Sequence, residues 1–267
     1  MCLLIVLSRT HPDFPLVVGA NRDEQLDRPA VPMAVLREAG PRILGGRDEL
    51  AGGTWLAVND AGVVAGLTNR PTPGGRDLTK KSRGELPLFL ATHTSAAEAA
   101  DAAAREWHAS DYNPAWFLVG DRDALFAVDL TGDGAPVITE LPPGVHVLEN
   151  RSITDPTPKT GHVQQLLAGI ADAPGDELVF RLGAVLSNHQ LPKGCEDPIV
   201  AEDGTEIPPQ VRAPCVHTEK FGTRWSGIVT VPADRHELPR VRFTDGPPCT
   251  VDYADATVLW RTEPVSG

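Results

Sequence analysis

Two short stretches near the start of the chain carry residue types that could act together on a carbonyl group. The first is Met1-Cys2, followed at once by the apolar run Leu3-Leu4-Ile5-Val6-Leu7. Removal of an initiator Met is expected when the next residue is small, as Cys is. It would leave a free α-amine and a thiol on one residue, at the tip of a buried strand. An α-amine titrates at about 7.7–8.0 and a thiol at about 8.5, so the amine can serve as base for its own thiol near neutral pH. No distant histidine is then needed. The plain alternative is that Cys2 is a small apolar residue in a core strand.

The second stretch is Pro15-Leu16-Val17-Val18-Gly19-Ala20-Asn21-Arg22-Asp23-Glu24, a strand that ends in four polar residues. With Leu3–Leu7 as the preceding strand and 8–14 as a polar loop, the two are expected to form an antiparallel hairpin. The end of the second strand then lies beside the start of the first, which brings Arg22 and Asp23 to Cys2. A guanidinium lowers a thiol pKa, and a carboxylate can hold an α-amine. Asn69, at the end of a later strand, carries a side-chain amide that can donate to an oxyanion. The structural alternatives are a solvated turn for 21–24 and a strand-ending turn residue for Asn69.

These residues carry a resemblance. Met-Cys before an apolar strand, then Ala20-Asn21-Arg22-Asp23-Glu24, resembles the NRDE family, also called the transport-and-Golgi-organisation-2 family. Gly52-Gly53-Thr54-Trp55-Leu56, Leu67-Thr68-Asn69, Arg83-Gly84-Glu85-Leu86 and Phe221-Gly222-Thr223-Arg224 match it further, in the family's order and over nearly the whole chain. That family is in turn similar to cysteine N-terminal-nucleophile (Ntn) hydrolases such as penicillin V acylases and bile salt hydrolases. The resemblance implies that Cys2 is the nucleophile and that Arg224, late in the chain, supports it. It also implies a second active-site asparagine at Asn150. Here the chain departs from the family, with Leu148-Glu149-Asn150 in place of a Leu-Ser-Asn type sequence.

Composition fits one globular domain spanning 1–267. At 267 residues the chain is near the upper limit for a single hydrophobic core, and it is 41% hydrophobic. Its 25 Pro and 25 Gly are dispersed and imply many loops. A net charge of −12 argues against nucleic acid or an anionic membrane as partner. The seven-residue apolar start lacks a basic flank and is too short for a signal peptide or a membrane span, so a cytoplasmic protein is expected. Cys2, Cys195, Cys215 and Cys249 are widely spaced in a chain large enough to fold without disulfides, and reduced thiols are expected. There is no CxxC, no histidine with a partner at metal or triad spacing, and neither GxSxG nor GxGxxG. A metal site, a Ser-His-Asp hydrolase and a dinucleotide enzyme are all disfavoured.

The remaining elements must position these residues. Strands are expected at Val31–Val35, Pro41–Leu44, Thr54–Val58 and Val63–Thr68, the last two joined by a turn ending in Gly62. A basic loop, Pro71–Lys81, follows, where Lys80, Lys81 and Arg83 could meet an anionic group. Helices are predicted at Gly84–Thr92 and Ala96–His108, the second opened by a Ser95/Glu98 capping box. Strands resume at Trp116–Val119, Ala124–Leu130, Val137–Leu141 and Val145–Leu148. Two core-facing helices come next, with apolar residues at Val163/Leu166/Leu167/Ile170 and Leu178/Leu182/Val185/Leu186. Residues 190–213 read as a long surface loop or lid, with His189 and Cys195 in or beside it as ordinary loop residues. The end of the chain is β again, at Ala213–His217, Thr223–Val231, Arg240–Thr244 and Thr257–Arg261.

This order suits an α+β fold in which two antiparallel sheets face one another between helical layers, an αββα sandwich, as the Ntn resemblance also implies. The functional expectation is a cysteine Ntn-type hydrolase or acyltransferase acting on an amide or thioester. Cys2 is nucleophile and base, Asp23 orients its amine, and Arg22 and Arg224 tune the thiol. Asn69 and Asn150 stabilise the oxyanion, while Asn21, Glu24, Trp55 and Thr68 are expected to contact substrate. No cofactor is expected. The alternative that the resemblance implies is a non-enzymatic carrier of haem or acyl-CoA using the same cleft, with haem as cargo. No Cys-Pro dipeptide of the haem-sensing kind is present.

Overall fold

A computed structural model of the chain describes residues 2–72, 75–201 and 204–261. Met1, and the parts of the 71–81 and 190–213 loops at 73–74 and 202–203, lie outside the described residues. In chain order the first strands are β1 (Leu3–Ser8), β2 (Leu16–Gln25), β3 (Ala30–Arg37), β4 (Ile43–Asp48), β5 (Leu56–Asn59) and β6 (Val64–Asn69). Helices α1 (Glu85–Leu90) and α2 (Ala96–Glu106) precede β7 (Ala115–Gly120), β8 (Leu125–Leu130), β9 (Val137–Glu140) and β10 (Gly144–Leu148). Then come α3 (Pro158–Leu166), α4 (Gly175–Leu186), the short pair β11 (Ile199–Val200) and β12 (Glu206–Ile207), and β13 (Phe221–Val231), β14 (Arg240–Thr244) and β15 (Ala254–Asp255).

One sheet runs β10-β1-β2-β13-β14-β15 and the other β3-β4-β5-β6-β7-β8-β9, with every pairing antiparallel. Three cores separate four layers. Leu4, Val6 and Val18 meet Leu44, Leu56 and Leu118 between the sheets. Leu3, Ile5 and Leu7 pack with Val163, Leu178 and Leu182 of α3 and α4. On the far side, Ala65, Phe117 and Val119 pack under Leu86 of α1 and the alanines of α2. The fold is the αββα sandwich that element order and resemblance both led to.

Because β1 is covered on both faces, its sequence is a continuous apolar run rather than an alternating one. Each Leu or Ile so buried contributes about 1.5–3 kcal/mol relative to exposure. In α2 the buried face is almost all alanine, which has the strongest helix propensity and lets the helix lie close on the sheet. The Ser95 hydroxyl caps α2 by accepting from the Glu98 amide, and the Glu98 carboxylate accepts from the Thr94 hydroxyl.

The structure corrects some elements. Thr257–Trp260 is a 3-10 turn, and the last strand is only Ala254–Asp255, paired on the edge of the first sheet. Ala213–His217 forms a single bridge, His217 with Gly222, rather than a strand. The 190–213 segment is not featureless, since it contains the β11–β12 pair and a 3-10 turn at Pro209–Arg212.

At the mouth of the inter-sheet core two tryptophans meet edge to face, Trp55 and Trp225, with ring centroids 5.4 Å apart. Each lies against a glycine. A Cβ on Gly46 would fall 2.0 Å from the Trp55 ring, and one on Gly227 2.2 Å from Trp225. Gly46→Ala should therefore destabilise the protein by about 1–3 kcal/mol through overpacking, read as a lowered Tm in thermal unfolding. An unchanged Tm would mean that the Trp55 ring is free to move aside.

Candidate active site

Register puts Cys2 where the hairpin argument placed it. Leu3 pairs with Asn21 on one side, and Leu4 with Leu148 on the other. One step further along β1, Cys2 lies between Arg22 and Asn150. Its backbone nitrogen donates to Asn150 Oδ1 at 2.9 Å, and the Asn150 Nδ2 donates to the Asn69 carbonyl. The thiol is hydrogen-bonded by the Asp23 backbone amide. Burial pushes the thiol pKa up, with the Asp23 charge adding to the rise and the Arg22 charge opposing it.

Strand alternation splits the Asn21-Arg22-Asp23-Glu24 tetrapeptide between two faces. Arg22 and Glu24 line the cleft. Asn21 and Asp23 point to the helical side. Asp23 is fully buried and accepts from the Thr223 hydroxyl at 2.5 Å, with the Lys159 ammonium 3.8 Å away. Burial drives its carboxyl pKa up, against the pull of Lys159. Lys159 is itself buried, in the first turn of α3, and also donates to the Val211 carbonyl. A charge of either sign alone at this depth would be costly, so the two are paired.

The cleft above Cys2 has a volume of about 260 Å³. Its wall carries five cationic groups, Arg22, Arg28, Arg76, Lys81 and Arg83, against the two carboxylates Glu24 and Asp48. Asp48 takes a bidentate bond from Arg28 at 2.7 and 3.1 Å and a third from Arg22 at 3.1 Å. The Arg22 guanidinium also lies 4.5 Å over the Trp55 ring, a cation–π contact that fixes it at the cleft. Lys81 pairs with Asp111. Arg83 donates to the Pro114 carbonyl, and burial together with the like charge of Arg76 pulls its pKa below the usual range. It remains charged at neutral pH and faces the cleft. An anionic group would be favoured there.

Two family motifs build the cleft rim by touching. A Cβ on Gly53 would come within 2.4 Å of the Gly84 backbone, and the Thr54 amide donates to the Gly84 carbonyl at 2.8 Å. Only glycine lets the chain before Trp55 and the chain after Arg83 approach so closely.

Of the expected site residues, Cys2, Arg22, Glu24, Trp55 and Asn69 line the cleft, and Asn150 bonds Cys2 directly. Four require correction or refinement. Asn21 is buried, with its amide donating to the Leu186 and Pro214 carbonyls, and does not reach the cleft. Thr68 is fully buried because alternation along β6 turns it inward while Leu67 and Asn69 face the cleft. Arg224 is the extra residue of a bulge in β13, where Thr223 opposes Asp23 and Trp225 opposes Arg22. Its guanidinium turns to the Gln25 and Arg28 carbonyls and not to Cys2. Asn150 holds the Cys2 backbone through Oδ1 and the Asn69 carbonyl through one N–H of its Nδ2, a positioning role beside the oxyanion role expected of it. Sequence reasoning did not assign Lys159, Thr223, Arg28 or Asp48. Thr223 alone had a signal, as part of the Phe221-Gly222-Thr223-Arg224 motif.

Solved structures share this arrangement of layers. The chain superposes on a mutant conjugated bile acid hydrolase from Clostridium perfringens with TM-score 0.57 and 9% identity, covering 100% of this chain and 94% of that one. Penicillin V acylase from Agrobacterium tumefaciens gives 0.54 at 12% identity, over 96% and 86% of the two chains. A Caenorhabditis elegans N-acylethanolamine-hydrolyzing acid amidase ortholog gives 0.51 at 14%, over 85% and 92%. The fold is that of the Ntn hydrolases.

Within that fold class the chain belongs to the Transport and Golgi organisation 2 family, whose model matches residues 1–243. The Transport and Golgi organization protein 2 homolog of Bos taurus is 32% identical over 268 residues and that of Homo sapiens 31%, each covering 92% of both chains. No helix among the described residues is long and apolar enough to cross a membrane.

Burial alone would raise the Asp48 carboxyl, but the Arg28 bonds and the nearby amides more than offset it and hold the carboxyl below its usual range. The folded form thus holds its proton more weakly than the unfolded chain. The stability this contributes is present above about pH 4 and lost as pH falls through the lowered folded value. Asp48→Asn should flatten the acid side of a Tm-against-pH curve, and an acid limb of unchanged slope would contradict this account of Asp48.

Proposed function

We propose that the cleft is the active site of a cysteine Ntn-type hydrolase or acyltransferase, acting on an amide or thioester after loss of Met1. The observation that carries the reading is the hydrogen bond from the Cys2 nitrogen to Asn150 Oδ1, at a residue that lines the cleft. The same nitrogen, freed as an amine, keeps that acceptor and needs only to take the proton of its own thiol. The thiolate attacks the carbonyl carbon, and the amine passes the proton to the leaving nitrogen or sulfur as that bond breaks. A thioester on Cys2 remains, which water or an acceptor amine then releases. Arg22 favours the thiolate. Asn69 and Asn150 are the side-chain amides proposed for the oxyanion, Asp23 is proposed to orient the amine, and its backbone amide bonds the thiol. The names of the structural neighbours, an amidase, an acylase and a bile acid hydrolase, support the reaction class.

The cationic wall supports a substrate with an anionic portion, and it equally favours the second reading. On that reading the cleft is a binding site for acyl-CoA or haem, whose phosphates or carboxylates would meet Arg76 and Arg83 without turnover.

Intact mass and a thiol-reactive acylating probe separate the two. On the enzyme reading, protein from cells with normal aminopeptidase lacks one methionine and gains one adduct at Cys2, and Cys2→Ala abolishes turnover of any substrate found. A retained methionine with an unreactive Cys2 would leave the carrier reading, and full activity in Cys2→Ala would overturn the Cys2 mechanism itself. For an anionic substrate, Arg83→Gln should raise KM about 10–100-fold with kcat little changed, since a charge-assisted hydrogen bond is worth about 1.5–3 kcal/mol. Steady-state kinetics check this directly.

A further inference from the structure

Outside the set of residues that line the cleft, four side chains from three separate segments converge. His189 follows α4, Cys215 and His217 precede β13, and Cys249 lies in the loop between β14 and β15. One ligand atom from each lies within 4.8 Å of all the others. His217 Nε2 is 3.2 Å from Cys249 Sγ, and the two imidazole rings meet edge to face with centroids 4.8 Å apart. We propose that these four residues form a structural zinc site.

The donor set selects the ion class. Two sulfurs and two imidazole nitrogens with no carboxylate suit Zn²⁺ in tetrahedral geometry and exclude the oxygen-seeking Ca²⁺ and Mg²⁺. With Zn–S of about 2.3 Å and Zn–N of about 2.0–2.1 Å, tetrahedral ligand atoms stand about 3.3–3.8 Å apart. The ligand atoms here lie within 4.8 Å of one another, so filling the site draws the widest pairs together by up to about 1 Å. Binding releases one proton from each thiol, and the two thiolates balance the dication, so the site is neutral when filled.

The surroundings orient the ligands. His189 Nδ1 lies 3.0 Å from the Cys215 carbonyl, and the only role open to it against a carbonyl oxygen is donor. That sets the tautomer and leaves Nε2 as the coordinating nitrogen, the outer-shell arrangement that metal-bound histidines commonly have. Cys215 and His217 are two residues apart, and the ligand atoms of both reach the cluster. Val216 between them is clamped to Thr223 by two bonds, from its amide to the hydroxyl and from the Thr223 amide to its carbonyl, each 2.8 Å. Two further bonds tether the segments independently of any metal, Cys215 N to Asn188 O at 2.9 Å and Ser187 Oγ to Pro248 O at 3.0 Å. The four positions 189, 215, 217 and 249 have no finger-like spacing, which is why sequence reading expected no metal.

The test uses the full chain purified without chelator, passed through a desalting column and analysed for metal. One zinc per chain is expected. The stripped protein should bind one Co²⁺ with the intense visible absorption of a tetrahedral thiolate complex, and Zn²⁺ should displace it and raise Tm. His189→Ala and Cys249→Ser both alter exposed side chains and should fold. Each should weaken Zn²⁺ by more than the about 10–100-fold that outer-shell changes cost, with the far-ultraviolet circular dichroism unchanged. Three results would each overturn the proposal: no stoichiometric zinc and no tetrahedral Co²⁺ spectrum, zinc binding undiminished in the His189→Ala/Cys249→Ser double variant, or a Cys215–Cys249 disulfide in the metal-free protein as purified.

Discussion

β1 is buried on both faces, against the opposing sheet on one side and α3 and α4 on the other, and this double burial determines where residue 2 can be. A strand that loses water from both sides cannot slip by one residue at no cost, because each slip exchanges the set that packs on the tryptophans for the set that packs on the helices. Its two neighbours are locked by the same constraint. With register fixed on both flanks, Arg22 and Asn150 are delivered to Cys2 by backbone pairing alone, and side-chain contacts only refine the result.

The polar groups around Cys2 form two systems separated by the sheet. On the cleft side Arg22, Arg28 and Asp48 share charge at the surface of the Trp55–Trp225 pair. On the helical side Asp23, Lys159 and Thr223 are buried, and Asn21 ties β2 to the chain leaving α4 and to Pro214. The cleft-side groups face solvent and ligand. The buried set is held by packing and sets the backbone from which the thiol receives its hydrogen bond.

Much of this was legible in the residues. The continuous apolar run at Leu3–Leu7 announced a strand covered on two sides, and the hairpin with 15–24 followed from loop length and composition. The alanine-rich stretch announced α2. The site was legible in the hairpin, which pairs Cys2 with Arg22, and at Asn150 only through the family resemblance; it was illegible where it depends on a one-residue irregularity. Arg224 leaves the site because of a bulge that no composition signals. Asn21 and Thr68 sit beside cleft residues in sequence, but strand alternation sends them to the other face. Lys159 reads as one lysine in the first turn of a helix, and only the depth of α3 against β2 makes it the counter-ion of Asp23.

The distance along the chain between Cys2 and its partners also has a meaning in time. β10, which ends at Leu148, must be made before Asn150 can take the Cys2 nitrogen. At about 5–20 residues per second, synthesis leaves the start of the chain without that partner for about 7–30 s. After closure Cys2 is only 8% exposed and its nitrogen is engaged. The first strand is thus made early and completed late, its last polar partner arriving only when more than half of the chain has been synthesised.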